Sequence, residues 1–188
     1  MLTRRNGIAV LAGILLISLA AGASTYRRMT LDTLIQSSAF VVYGRIVESR
    51  PAWDAATRMI WTHTGIQVLD GLKGQPGATV TVTEPGGILG DIGQLYPGIP
   101  QFRVGQEAVV FIYHAPGQRL RVTGALQGVY AVRTDPSTGE KLAFPAVPPL
   151  EVVYEEGSVY SRTANQQAPG PEGLSRFLYT IRQKAASR

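Results

Sequence analysis

Residues 39–50 (AFVVYGRIVESR) restrict the fold of this chain most strongly, because their pattern makes both faces of an extended strand apolar. Successive side chains of a strand point to opposite faces, so Val42 and Ile46 would share one face. Val41 and Tyr43 would share the other. A strand that is apolar on both faces needs cover from both sides, which predicts a central position in a doubly covered sheet.

Gly44 stands in the middle of this pattern, where a glycine weakens a strand. Glycine there is typical of a bend in the sheet or of a close approach by another backbone. Residues 51–56 predict the return after this strand, because Pro51 has no N–H to donate to a neighbouring strand, and residues 58–69 (RMIWTHTGIQVL) predict the partner strand. Together these features favour a small, strongly curled barrel over a flat sheet.

Further strand patterns follow, separated by turn formers. Residues 107–114 (EAVVFIYH) form a continuous apolar run, which is typical of a central strand covered on both faces. Shorter runs predict strands at residues 78–84, 120–123, 128–134 and 141–144. The predicted fold class is therefore mostly β, as a curled barrel of five to seven strands.

A helix is expected on each side of this β domain. Thr30 is suited to cap a short helix from residue 31 to 37 or 38, with Asp32 in the first turn. An amphipathic helix is predicted within residues 171–188, from Pro171 to about Ala186. Its apolar residues recur at the i, i+3, i+4, i+7 spacing of one helix face and are Leu174, Phe177, Leu178 and Ile181. We expect this face to dock on the sheet.

The N-terminus has the layout of a secretory signal peptide: a basic stretch, an apolar run over residues 8–21, and an A-x-A site that predicts cleavage after Ala23. An uncleaved membrane anchor is the alternative, although the run is shorter than the roughly 20 residues of a spanning helix. Both interpretations predict export to the periplasm or the exterior. The predicted organisation is a signal peptide (1–23), a β-barrel domain (24–145), a surface arm (146–170) and a C-terminal helix (171–188).

Composition excludes several classes of function. An exported chain with no cysteine has no disulfide scaffold, thiol nucleophile or thiolate metal site. The net charge of +5 falls to +3 without the signal peptide, which predicts solubility. The basic residues are scattered and lack interleaved aromatic residues, so no nucleic-acid partner is predicted.

The connection over residues 85–105 (PGGILGDIGQLYPGIPQFRVG) is rich in glycine and proline. A loop of this length is either functional or poorly ordered. We predict a recognition surface over residues 86–102, with Gly86, Gly87, Tyr96 and Phe102 as binding residues and the last two as aromatic contacts. The PGGILGDIG run lacks the G-K-[ST] ending of a phosphate-binding loop, so turn geometry explains its glycines.

Candidate catalytic and metal-binding residues form no recognised pattern. A zinc or copper site would need His63 and His114 to converge with a carboxylate. The candidate carboxylates are Asp91 and Glu107. No G-x-S-x-G nucleophile elbow occurs. We predict no catalytic residue, no metal site and no cofactor.

Several motifs resemble the recurring pattern of a group of uncharacterised exported bacterial proteins: VVYGRI after a helix, LKG at a strand end, the PGG loop, GQEAVVF and QGVYAV. The resemblance covers most of residues 31–142 and implies no particular activity. The first two motifs are also distantly similar to the OB-type barrels of netrin modules and tissue inhibitors of metalloproteinases, which implies an OB-like fold. In those inhibitors an N-terminal cysteine lays its amine and carbonyl on the protease zinc. Ser24 would keep both groups but has no disulfide to hold them.

The expected function is a non-enzymatic binding or cell-envelope-associated module. Its partner would be another exported protein or an envelope component, and it would contact the membrane only through an uncleaved signal segment. One alternative is a protease inhibitor, specifically of metalloproteases, that acts through its mature N-terminus. Another is a hydrolase with an unrecognised site built from scattered polar residues.

Overall fold

The computed structural model of this 188-residue chain describes residues 28–146 and 170–187. The predicted signal peptide, the Ser24 amine and most of the predicted surface arm lie outside the described residues. No helix within the two described ranges is long and apolar enough to span a membrane.

The described chain is mostly β, which confirms the predicted class. Its helices are α1 (Leu31–Ser37) and α2 (Leu174–Ala186). The strands are β1 (Phe40–Asp54), β2 (Met59–Lys73), β3 (Thr79–Pro85), β4 (Gly87–Leu89), β5 (Ile92–Gln94), β6 (Glu107–His114), β7 (Leu120–Val122), β8 (Val129–Thr134), β9 (Lys141–Pro145) and β10 (Glu172–Gly173). Eight strands form one antiparallel sheet in the order β10-β9-β8-β6-β1-β2-β3, with β7 also paired to β6. β4 and β5 form a separate hairpin.

Two hydrophobic cores lie on opposite faces of β1 and β6. The helix-side core joins residues of both helices to Val41 in β1 and to Val109 and Phe111 in β6. The strand-side core joins Val42 and Ile46 to β6 and to residues from β2, β3, β7 and β8. The predicted cover on both faces of β1 and of β6 is therefore confirmed.

Direct contact between β3 and β7 shows that the sheet is strongly curled. Glu84 of β3 accepts hydrogen bonds from Arg121 (2.8 Å) and from the Val122 N–H (2.6 Å) of β7, although β2, β1 and β6 separate the two strands along the sheet. A flat layer could not bring these two strands together. Among the described residues, however, no strand pairing joins β3 to β7, so the closed barrel remains a prediction.

Gly44 lies at a close approach of β2 to β1. A Cβ atom at this position would lie 2.5 Å from the carbonyl oxygen of Gln67 and 2.6 Å from Cγ2 of Ile66, and the β1–β2 register shifts between Tyr43 and Gly44. Only glycine fits there without displacing the neighbouring strand. This is the close backbone approach that the sequence predicts.

The LKG motif has a structural role at the end of β2. Leu72 is buried in the helix-side core. The Nζ of Lys73 donates to the carbonyl oxygens of Ile35 (2.5 Å) and Ser38 (2.7 Å), so a cation stabilises the C-terminal end of α1. Gly74 has a φ of +72°, which ends the strand in a turn.

The helices form largely as predicted. The Thr30 side chain accepts a hydrogen bond from the Thr33 N–H and caps α1, and all four apolar residues predicted to dock α2 are buried. The start of α2 differs, because Glu172 and Gly173 pair with β9 as a strand and delay the helix to Leu174.

The predicted return after the first strand, over residues 51–56, is wrong. β1 continues to Asp54, whose side chain accepts a hydrogen bond from the N–H of Ala56 in the turn. β1 pairs with β6 only as far as Arg45, so Pro51 lies where β1 has one neighbouring strand. A proline is tolerated in such an edge position.

Glu107 is the centre of a polar network at the start of β6. Its carboxylate accepts hydrogen bonds from the Tyr43 hydroxyl (2.5 Å), Arg45 (2.8 Å) and Lys141 (2.6 Å), which tie together β1, β6 and β9. Partial burial raises the pKa of Glu107, but these hydrogen bonds outweigh it and lower the pKa from 4.5 to about 2. The network therefore favours the ionised carboxylate.

We expect the network to make stability depend on pH. Because the pKa of Glu107 is lower in the folded protein, its stabilisation is complete above pH 4.5 and is lost as the pH falls toward 2. Glu107→Gln should remove roughly 1–2 kcal/mol of this pH-dependent stability, a reduced amount because Arg45 and Lys141 are half-exposed. The free energy of unfolding of each protein is measured by urea denaturation at several pH values, with Glu48→Gln as the control variant. Parallel pH curves for Glu107→Gln and the wild type would contradict the prediction.

Gly44→Ala should lower the free energy of unfolding by about 1–3 kcal/mol, because the added methyl group collides with the β2 backbone. Gly77→Ala is the matched control, since its methyl group would lie 3.7 Å from the nearest atom, the Thr79 carbonyl oxygen. Urea unfolding at neutral pH compares the two. Equal free energies of unfolding for the two variants would show that β2 can move away from β1 at Gly44 without loss of stability.

Candidate functional site: a groove under the β4–β5 hairpin

A groove of about 510 Å³ lies between the β4–β5 hairpin, the following loop and the far ends of β1, β2 and β3. It is built on the part of the β1–β2 ribbon that extends past β6, since β1 pairs with β2 as far as Asp54. All four predicted binding residues line it: Gly86, Gly87, Tyr96 and Phe102. The structure thus brings them together, although they span 17 positions of sequence.

The hairpin is attached to the sheet by three hydrogen bonds at β2. The Gly86 N–H donates to the Ile60 carbonyl oxygen (2.7 Å), and the Ile60 N–H donates to Oε1 of Gln94 (2.6 Å). The Thr62 hydroxyl donates to the Gly86 carbonyl oxygen (2.6 Å). These bonds fix the hairpin beside β2 and so fix the width of the groove.

The two glycines allow this attachment. Gly86 and Gly87 have φ angles of +99° and +132°, which favour glycine strongly. A Cβ atom at Gly87 would lie 2.4 Å from the Thr62 hydroxyl oxygen, and one at Gly86 would lie 2.8 Å from the Gln94 carbonyl oxygen. Both residues therefore line the groove and also let the hairpin lie close to β2.

Three exposed apolar side chains on or directly after the β4–β5 hairpin are here called the lip: Ile88, Ile92 and Leu95. Ile88 (73% exposed) and Leu95 (76% exposed) line the groove, and Ile92 is exposed beside the hairpin turn. Tyr96 is half-buried against Gly86. Phe102 lines the groove and is partly buried against the strand-side core. Clustered exposed apolar side chains are typical of a surface that binds another molecule.

The floor of the groove is polar. Ser49 and Thr64 face each other across the β1–β2 pair, and both line the groove. Within the described residues neither hydroxyl forms a hydrogen bond to another protein group, and Thr64 as a residue is 2% exposed. No buried side-chain oxygen or nitrogen in the described ranges lacks a hydrogen-bond partner, so the unbonded Thr64 hydroxyl is accessible at the groove and is open to a hydrogen bond from a ligand.

Glu84 borders the groove and joins β3 to β7. Its residue exposure is 4%, its Oε1 accepts the Val122 N–H (2.6 Å), and its Oε2 accepts from Arg121 Nη2 (2.8 Å) and Nε (3.2 Å). The sequence analysis missed this residue. The signal was present, since Glu84 continues the inward row of Val80 and Val82 and is thus an acid at a core position.

The other residues weighed as sites lie elsewhere. The guanidinium group of Arg119 lies over the Trp61 ring, 4.4 Å from its centre, and pairs with Asp54. Arg121 pairs with Glu84. A carboxylate therefore compensates the charge of each arginine. His63 lies 3.0 Å from the Thr83 hydroxyl, and His114 packs against the Phe40 ring. In the described ranges no three His, Asp or Glu side chains converge on a point that could hold a metal ion.

No protein-family profile matches this chain, and no curated protein or solved structure is significantly similar to it. The geometry of the groove is therefore the basis for assigning a function.

The groove is equipped for binding. Its walls are mainly apolar, its floor offers hydroxyl groups, and Glu84 is the one acid or base among its lining residues in the described chain. Because Arg121 and a backbone N–H already occupy that carboxylate, it is not placed to act as a general base.

Glu84→Ala should destabilise the fold by about 2–4 kcal/mol, because it leaves the Val122 N–H and the Arg121 guanidinium without their partner. Glu48→Ala is the control. It removes an exposed ion pair with Arg50 and should change stability by no more than about 0.5 kcal/mol. Urea unfolding compares both variants with the wild type. A loss for Glu84→Ala as small as for Glu48→Ala would mean that Glu84 does not stabilise the β3–β7 contact.

Proposed function

We propose that this chain is an exported, non-enzymatic binding module that holds another exported protein or envelope component at the groove and its lip. The observation that carries the proposal is the exposure of Ile88 and Leu95 at the mouth of a groove with an open polar floor. Apolar side chains in water gain free energy when a partner covers them. The signal-like pattern of residues 1–23 supports export.

We also infer that the curled sheet is an OB-like barrel, in which the contact that closes the sheet is made between β3 and β7 by a side chain. Four antiparallel steps lead from β3 through β2, β1 and β6 to β7, so β3 and β7 run in the same direction. The bonds from Arg121 and the Val122 N–H to Glu84 link these two strands. This parallel contact between β3 and β7, across the interior of the curl, supports the barrel.

A protein partner agrees better with the charges around the lip than a lipid surface does. Residues 74–102 contain two acids, Glu84 and Asp91, and no lysine or arginine. Surfaces that lie on anionic membranes commonly add basic residues to their apolar side chains. The metalloprotease-inhibitor alternative depends on Ser24, which lies outside the described residues.

The lip can be tested by photo-crosslinking in intact cells, with benzoylphenylalanine placed at Ile92 in the lip or at Tyr179 on α2. Tyr179 is the matched control because it is 63% exposed, like Ile92 at 61%. We expect a discrete adduct from position 92 only. Ile88→Asp combined with Leu95→Asp should reduce that adduct at least tenfold and leave the melting temperature within about 2 °C, because both side chains are exposed.

Two results would reject the proposed function. One is the same adduct yield from positions 92 and 179. The other is an adduct at position 92 that persists in the stable Ile88→Asp, Leu95→Asp variant.

A further inference from the structure

The polar floor of the groove indicates what kind of molecule the groove takes. Thr62 and Gln94 use their side-chain oxygens to attach the hairpin, so their hydrogen bonds hold the groove together. Ser49 and Thr64 make no such bond within the described chain, and their hydroxyls lie side by side across two strands. A hydroxyl both donates and accepts, so this pair can bind either edge of an amide.

The charges of the groove disfavour an anionic occupant. The lining residues include no lysine, arginine or histidine, and their one carboxylate, Glu84, borders the same space. A ligand carboxylate or phosphate placed there would lose its water without gaining a cation. An uncharged occupant has no such penalty, because the two hydroxyls replace its hydrogen bonds to water.

The lip extends the binding surface beyond the groove. Ile88 and Leu95 line the groove but are 73% and 76% exposed, and Ile92 is exposed on the same hairpin, so a small molecule held on the floor would leave most of this apolar surface in water. An extended peptide can place a polar group on the floor and apolar side chains on the lip.

Pro51 has no N–H, so β1 lacks one of the donors that it would need to pair with the peptide as an added strand.

We infer that the groove takes an extended, uncharged, apolar peptide segment of a partner protein, with an amide or hydroxyl of that segment bound by Ser49 and Thr64. This inference rests on the proposed function and adds the chemical class of the partner segment. Ser49 and Thr64 select for a neutral hydrogen-bonding group, and the lip binds the apolar side chains on either side.

The test uses pools of N-acetylated, C-amidated hexapeptides with Leu, Ile, Val or Phe at the outer positions. Three pools differ at the two central positions, which carry Asn, Gln, Ser or Thr in the first, Asp or Glu in the second and Leu or Val in the third. Immobilised mature protein is exposed to each pool, and mass spectrometry measures the retained peptides. We expect the neutral polar pool to be retained at least tenfold more than the acidic pool.

The variant Ser49→Ala, Thr64→Val should remove the preference for the neutral polar pool over the purely apolar pool. Because these hydroxyls have no partner within the described chain, we expect the variant to be as stable as the wild type. Thr83→Val is the matched control, since Thr83 is a similarly buried threonine whose hydroxyl lies near His63. It should leave the peptide preference unchanged.

The outcomes separate this inference from the proposed function. Two results overturn the inference: equal retention of the acidic and neutral polar pools, or a preference for the neutral polar pool that survives in the Ser49→Ala, Thr64→Val variant. If crosslinking at position 92 persists alongside either result, the proposed function still stands. Retention of phosphatidylcholine vesicles in place of every peptide pool also overturns the inference. Absence of both peptide retention and the crosslink rejects the proposed function as well.

Discussion

Burial of β1 and β6 on both faces is the constraint on which the rest of the structure depends. Each strand supplies one row of side chains to the helix-side core and another to the strand-side core, so neither face can be left in water. Helices α1 and α2 cover one face, and the curl of the sheet covers the other. At Gly44 the β2 backbone comes too close to β1 for a side chain to fit, and the curl brings β3 near β7, where Glu84 links them.

Most of this fold could be predicted from local sequence. The two-faced row of residues 40–46, the continuous apolar run of β6 and the i, i+3, i+4, i+7 spacing of α2 each depend on short-range periodicity. The predicted return at residues 51–56 is wrong because it treats Pro51 as a strand breaker. A proline breaks a strand only when its nitrogen must donate to a neighbour, and the sequence does not show that β6 stops pairing at Arg45.

The sequence predicts which loop borders the candidate site but not which residues form its floor. Residues 86–102 stand out by their glycine and proline content, and they do border the groove. The floor comes from Ser49 and Thr64, which are far from that loop in sequence and fall in strands where a polar residue looks like an ordinary outward-facing one. Only the β1–β2 register, with its shifts near Gly44, places Ser49 opposite Thr64. Long-range register of this kind is not encoded in a local pattern.

The overhang of β1 and β2 beyond β6 keeps the lip apart from both cores. Ile88, Ile92 and Leu95 contribute to neither core, and the hairpin that carries them is attached at Ile60 and Thr62. Exposed side chains of the hairpin can therefore be substituted with little loss of stability, provided that Gly86, Gly87 and Gln94 are kept. Under the proposed function, such a layout lets the lip change its partner while the scaffold stays constant, and it makes the hairpin a suitable position for grafting new specificities.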